Sequence, residues 1–364
     1  MSKTKNIAVF ISGHGFGHGT RTCAVIQKLN ENVICQFDIF TNIPKWFFLQ
    51  NLGSEIKYNF HFVKTDIGLL QKDAFSHDLN ETLKELEQFL DFKGDDYGYC
   101  LRILSEKKFN IIICDISPMG IYLSEKTGIP CALIENFTWD WIYQEYIESH
   151  SCFSAIISKL SGIYKSADLR IQTVPFCKKS STGKEVPPIF RLSRQSSQKI
   201  KRNLVGNLDH PMILLTTGGI STTYAFHQKL NESANITFVL SGNYSDFKKK
   251  KNIIELPMNS SFNYPDLVNA SDLVIGKIGY GTLAECWGFH TPLMGCFRKN
   301  FRESFKLREF AETHSLNHEI SQENFMSAEW LTDIKNVPIK TNFFPERKSG
   351  ADQASSAIIN LMDG

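Results

Sequence analysis

The chain has 364 residues, 42% of them hydrophobic and 21% charged, with 40 Lys and Arg against 38 Asp and Glu. That length exceeds what one core usually reaches, so two domains are expected, and the composition excludes a disordered chain. A formal net charge of +2 provides no concentrated basic face, which argues against nucleic acid as a partner.

In chain order, apolar β-branched runs at 7–11, 33–40, 58–63, 110–114, 131–134 and 169–174 predict strands, and further runs follow at 212–215, 236–240, 273–275 and 293–296. Between them, helical spacing fits 20–30, 80–90, 118–126, 193–204, 282–288, 303–312 and 350–362, with Asn80 and Ser193 as expected N-caps. Strands alternating with helices in this way predict an α/β chain of doubly wound parallel sheets. The polar stretch from Lys178 to Pro188 breaks the pattern, so the boundary is set at Gly183/Lys184, giving domains 1–183 and 184–364. The last helix either caps the second domain or returns to the first.

Nine cysteines without a Cys-x-x-Cys pair, four of them (Cys35, Cys114, Cys131, Cys296) inside apolar runs, read as reduced core residues and point to a cytoplasmic protein. No run reaches transmembrane length. Trp46-Phe47-Phe48-Leu49 is the one candidate for peripheral membrane contact, with a buried or acceptor-facing aromatic cluster as the alternative. Lys248 to Lys251 is the dense basic run and is expected to be a solvated loop.

Two glycine-rich turns follow strand-like runs: Ser12-Gly13-His14-Gly15-Phe16-Gly17-His18-Gly19-Thr20-Arg21, and Gly276-Lys277-Ile278-Gly279-Tyr280-Gly281-Thr282. Glycine lets backbone approach a ligand, and the N-terminus of the following helix offers N–H groups to an anion. Two such turns suggest a cleft lined by both halves. In the first turn, His18 falls near a helix start, where the macrodipole disfavours imidazolium, and is the candidate base. Asp115 closes a strand of the same half, at the end where parallel sheets bind ligands, and is placed to orient that ring. His14 is a further catalytic candidate; it and Asp115 are balanced against packing and helix-capping roles.

In the second turn, amides suit phosphates and Glu285 suits a ribose diol, while Gly218 and Gly219 approach from the first strand of that half. Neither Gly-x-Gly-x-x-Gly nor a P-loop occurs after those first strands, which removes support for a dehydrogenase or a nucleotide triphosphatase. Trp139, Asp140 and Trp141, with Gly17, are the candidate acceptor contacts, interdomain packing being the competing reading for the tryptophan segment. No His, Cys, Asp or Glu cluster has metal-binding spacing, and there is no Asp-x-Asp, so metal independence is expected.

Together these motifs resemble glycosyltransferases of the GT-B type, and more closely the N-terminal, glycosyltransferase-like region of plant L-arabinokinases. The segments that carry the resemblance are 12–18, Asn136-Phe137-Thr138-Trp139-Asp140-Trp141-Ile142-Tyr143-Gln144-Glu145-Tyr146, and 276–282. It implies two Rossmann-like domains facing a cleft and an inverting transfer from a nucleotide-diphosphate sugar, UDP by family habit, with no cofactor beyond that co-substrate. It further implies that His18, helped by Asp115, deprotonates an acceptor hydroxyl. The diphosphate would lie on Lys277 and Gly279 to Thr282, the ribose on Glu285, and the sugar or phosphate near Arg298, Glu303 and Ser304. The usual Asp-Gln or Gln-Gln pair is absent, so the donor sugar is unspecified, as is the acceptor. The galactokinase-like part of arabinokinases has no counterpart, so sugar-kinase activity is not expected. Nucleotide-sugar hydrolysis or epimerisation, and non-catalytic nucleotide-sugar binding, stay open as alternatives.

Overall fold

The computed structural model describes residues 4–70, 77–206, 208, 210–217, 224, 226–242, 244–337, 339–340 and 345–364. The chain forms two compact units: residues 1–189 with 300–303 and 350–364, and residues 190–299 with 304–349. The crossing therefore lies at Ile189/Phe190 rather than at Gly183/Lys184, because the segment 184–186 is itself a strand of the first unit.

The first unit holds β1 (Lys5–Ile11), β2 (Cys35–Thr41), β3 (Tyr58–Phe62), β4 (Ile111–Asp115), β5 (Cys131–Glu135), β6 (Leu169–Thr173) and β7 (Lys184–Val186). They form one parallel sheet in the order β3-β2-β1-β4-β5-β6-β7. Ala8 and Phe10 enter one core while Ile7, Val9 and Ile11 enter the other, so both sheet faces are buried and β1 reads as a continuous apolar run. The helix Ala351–Asp363 packs its Ala354, Ala357 and Ile358 into the second of these cores, with Val25 and Ile26 of the helix Phe16–Asn32.

The strand order reverses between β1 and β4, the kind of switch point where open α/β sheets bind ligands. Ile11 pairs with Asp115 in the parallel register. The glycine turn after β1 and the carboxylate ending β4 therefore emerge side by side.

The second unit holds β8 (Met212–Thr216), β9 (Thr237–Gly242), β10 (Lys248–Lys250), β11 (Ile253–Pro257), β12 (Leu273–Lys277), β13 (Leu293–Cys296) and β14 (Asn317–Glu319). Their order is β10-β11-β9-β8-β12-β13-β14, parallel except for β10 against β11. Here the switch point falls between β8 and β12, which carries the second glycine turn. Lys248–Lys250 corrects the expected loop: it is an exposed antiparallel edge strand, and lysine on an edge discourages further pairing.

Two N-caps also differ from expectation. The helix Leu79–Phe89 is capped by Asp78, whose side chain accepts from Glu81 N–H, and Ser197–Leu204 by Ser196, which accepts from Lys199 N–H. Asn80 falls inside the first turn and Ser193 three residues short of its cap, so in each case the cap is the polar residue just before the first helical position.

All nine cysteines are free thiols, and all but Cys152 are buried. Within the membrane-contact candidate, Phe47 and Phe48 are buried, Phe47 stacks on Phe16 at 5.0 Å, and only Leu49 is largely open, at 65% exposure. Among the described residues no helix is long and apolar enough to cross a membrane.

Candidate active site

The helix Phe16–Asn32 begins at Gly15, whose φ of 82° lies in the left-handed region, and nothing would meet a Cβ there. Glycine thus serves the backbone turn rather than a tight contact. This turn puts His18 in the first helical turn with Arg21 and Thr22 on the face toward β4.

His18 Nδ1 lies 2.8 Å from Asp115 Oδ1. Arg21 donates from Nε to Asp115 Oδ2 and from Nη2 to Oδ1, both at 2.6 Å, and Thr22 Oγ1 donates to Oδ2 at 2.9 Å. Asp115 is fully buried and Arg21 is 1% exposed. Burial alone would raise the Asp115 pKa, but the Arg21 charge and the bonds from His18 and Arg21 outweigh it and hold the carboxyl below the usual carboxylate range.

Arg21 Nη2 also lies 3.1 Å from His18 Nδ1. A guanidinium only donates, so Nδ1 must either accept from Arg21 or donate to Asp115. The ionised carboxylate is the closer partner, at 2.8 Å against 3.1 Å for Arg21 Nη2. We therefore assign the proton to Nδ1, which leaves Nε2 as the basic nitrogen.

The network continues through Asn136, which follows β5. Arg21 Nη1 donates to Asn136 Oδ1, and Asn136 Nδ2 donates to Glu303 Oε1 at 2.6 Å. Glu303, expected beside the donor, belongs to the first unit and serves this network. Phe137 meets the His18 ring edge-on, with centroids 5.7 Å apart.

The His14 ring packs against Trp139 and Phe301 at 4.9 and 5.9 Å, and the His14 backbone N–H donates to Ser12 Oγ. Trp139 is 1% exposed, stacks on Tyr143, and donates its indole N–H to Asp66 Oδ2 at 2.8 Å. Burial pushes the Asp66 carboxyl up, opposed by the bonds from Ser12 and Trp139. Trp139→Phe removes that donor from a buried carboxyl and is expected to cost about 1–3 kcal/mol, read from urea unfolding midpoints. Gly17 accepts from Thr20 Oγ1 at the helix start, and Asp140 and Trp141 line a separate cavity described below.

In the second unit, Lys277 ends β12 and Gly279 is the N-cap of the helix Tyr280–Gly288, which has no side-chain cap and no acid in its first turn. Gly276 has φ of 146°, and a Cβ there would stand 1.8 Å from the Thr216 carbonyl of β8, so only glycine lets these strands approach. Tyr280 and Thr282 are buried near this helix start, with Gly281 between them.

Glu285, 1% exposed, binds Arg191 through Oε1, with Nε at 2.8 Å and Nη2 at 2.6 Å. Its Oε2 has no partner among the described residues. Burial raises its pKa against the opposing Arg191 charge. Arg298 is half-buried after β13, and Ser304 is buried in the helix Glu303–Thr313. Gly218 and Gly219 lie outside the described residues.

Sequence reasoning gave no role to Arg21, Thr22, Asn136 or Asp66. Arg21 was within reach, since residues three apart on a helix share a face, and His18 and Arg21 stand at that spacing.

No family model matches the chain. It is 25% identical over 345 residues to an L-arabinokinase from Arabidopsis thaliana, covering 92% of this chain and 32% of that protein. The chain thus spans about a third of the length of the curated relative it matches. Among solved structures it is similar to a UDP-glucosyltransferase from Polygonum tinctorium capable of glucosylating indoxyl, with a TM-score of 0.64, 11% identity and 100% of both chains covered. It is also similar to UGT89C1 of Arabidopsis thaliana complexed with UDP-L-rhamnose, at TM-score 0.65 and 11% identity over 100% of this chain and 99% of that one. A third likeness is to the glycosyltransferase SnogD of Streptomyces nogalater, at TM-score 0.58 and 12% identity over 98% and 99% of the two chains. With its two seven-stranded, parallel-dominated sheets, the chain has the GT-B fold.

Proposed function

We propose that this protein is an inverting, metal-independent glycosyltransferase that moves a sugar from a nucleotide-diphosphate sugar, a UDP-sugar by the likeness to its structural neighbours, to an acceptor hydroxyl. The observation that carries this reading is the buried His18 Nδ1 to Asp115 Oδ1 contact of 2.8 Å at the switch point of the first sheet. The acceptor O–H gives its proton to His18 Nε2 as its oxygen forms the bond to the anomeric carbon. The bond from that carbon to the diphosphate breaks, and the nucleoside diphosphate leaves with the electron pair. A single base supports one direct displacement without a covalent intermediate, and hence inversion.

For the leaving group, the uncapped N-terminus of Tyr280–Gly288 supplies N–H donors and the positive end of a helix dipole. The unpartnered Glu285 Oε2 is suited to accept from a ribose hydroxyl. Catalysis then comes from positioning and from stabilising charge on the departing diphosphate.

The test is incubation of the purified protein with a panel of nucleotide-sugars, with and without a cell metabolite extract, following thermal stabilisation and nucleotide release by mass spectrometry. Stabilisation by one donor with release only in extract supports transfer. Release without acceptor points instead to hydrolysis or epimerisation. Binding without release in either condition points to a non-catalytic module, and no binding overturns the donor site. Once a turnover assay exists, excess EDTA is expected to leave the rate unchanged, and a loss restored by Mg²⁺ or Mn²⁺ would refute metal independence.

A further inference from the structure

The first unit contains a cavity of about 450 Å³ that the reaction as described does not use. It opens beside Phe137, the residue whose ring meets His18. Phe137 and Trp141 form an apolar wall, Thr138 and Ser161 contribute hydroxyls, and the segment 178–182 closes another side.

That segment is held in place from below. Gln172, 1% exposed, donates to the Lys178 carbonyl at 2.8 Å and accepts from Ser180 N–H at 2.7 Å, while also donating to Glu135 at 2.8 Å. Cys177 N–H donates to the Asn136 carbonyl at 2.6 Å, which ties the same segment to the residue that accepts from Arg21.

The charges in the cavity fall into satisfied and unsatisfied groups. Arg170 is committed to Glu135 through two bonds of 2.6 and 2.9 Å, and Lys179 to Glu185 at 2.5 Å. Lys165 and Lys178 are exposed lining residues with no ion-pair partner among the described residues. Asp140 also lines the cavity, and its Oδ1 is buried with no hydrogen-bond partner.

A buried carboxylate oxygen without a donor calls for one from a ligand, and a hydroxyl is the fitting group. Two unpaired ammonium groups call for an anion. An aromatic wall suits the C–H face of a sugar ring, and the volume lies in the range of small-molecule sites. We propose that this cavity binds an anionic carbohydrate, a sugar phosphate or a sugar acid, with its hydroxyls on Asp140 and its anionic group at Lys165 and Lys178. This binding does not depend on the transferase reading.

The experiment is calorimetric titration of the full chain, without nucleotide-sugar, using hexose and pentose phosphates, uronates, the matching neutral sugars and inorganic phosphate. At least one phosphorylated or carboxylated sugar is expected to bind about tenfold or more tightly than its neutral counterpart and than inorganic phosphate. The phosphate and uronate arms separate the two sources of anion. Lys165→Glu with Lys178→Glu, both at exposed positions, is expected to remove about tenfold or more of that affinity with Tm unchanged. Asp140→Asn is expected to weaken the sugar ligand but not inorganic phosphate. Absence of binding to every anionic sugar, equal binding of neutral sugars, or indifference to the lysine reversals would overturn the proposal. Donor-independent binding together with failed transfer would count against the transferase reading instead.

Discussion

His18→Ala is expected to lower transfer turnover by about 10²- to 10⁴-fold, the usual contribution of a positioned general base, while nucleotide binding stays within about twofold of the parent. The split follows from where the residue sits. His18 belongs to the first unit and contacts Asp115, whereas the groups suited to the nucleotide, Gly279 to Thr282 and Glu285, belong to the second. His18→Gln tests the tautomer as well as the base. A glutamine amide can still donate to Asp115, so packing survives, but it provides no basic nitrogen. Turnover as low as in the alanine variant is therefore expected. Recovery above about a tenth of the parental rate in either variant would show that the proton goes elsewhere, and a donor affinity that collapsed with the rate would make the residue structural. The two measurements required are a single-turnover rate and a nucleotide dissociation constant.

Much of the scaffold was legible because its strands are buried on both faces. Such strands leave continuous β-branched runs, and those of β1, β4 and β5 sit within a residue or two of their expected limits. Short polar strands at sheet edges carry no such signal. Lys248–Lys250 and Asn317–Glu319 are polar, short and paired on one side only, so they look like loop. His18 and Asp115 could be placed together from sequence because both follow strands, and parallel sheets gather their carboxyl ends. Arg21 and Asn136 were quoted within motifs yet given no role, since a buried ion pair depends on which helix face meets which strand. The bond between Glu303 and Asn136 was not legible, because the two lie far apart in sequence and the return of residues 300–303 to the first unit is a tertiary fact with no local signature.

Arg21→Met is expected to destabilise the first unit by about 3–5 kcal/mol at neutral pH, because it strands the buried Asp115 carboxylate without its cation. Asp115→Asn is expected to cost a similar amount, since it leaves the 1% exposed guanidinium facing a neutral amide. The double variant should lose much less than the sum of the two, because neither orphaned charge then remains. Methionine fills much of the volume of the arginine stem, so the cavity contribution is small. The pH dependence separates charge from packing. In the parent, Asp115 has a folded pKa below its unfolded value of about 3.9, so its stabilising contribution is fully present above that value and is lost as pH falls through the folded pKa. Without Arg21, burial dominates and the folded pKa rises. Protonation then relieves the variant at a pH where the parent is still intact. The gap in urea midpoint between parent and Arg21→Met should accordingly narrow as pH is lowered from about 7 toward 4. A gap that stayed constant over that range would assign the loss to packing and deny Arg21 its role as the counter-charge that keeps Asp115 ionised beside His18.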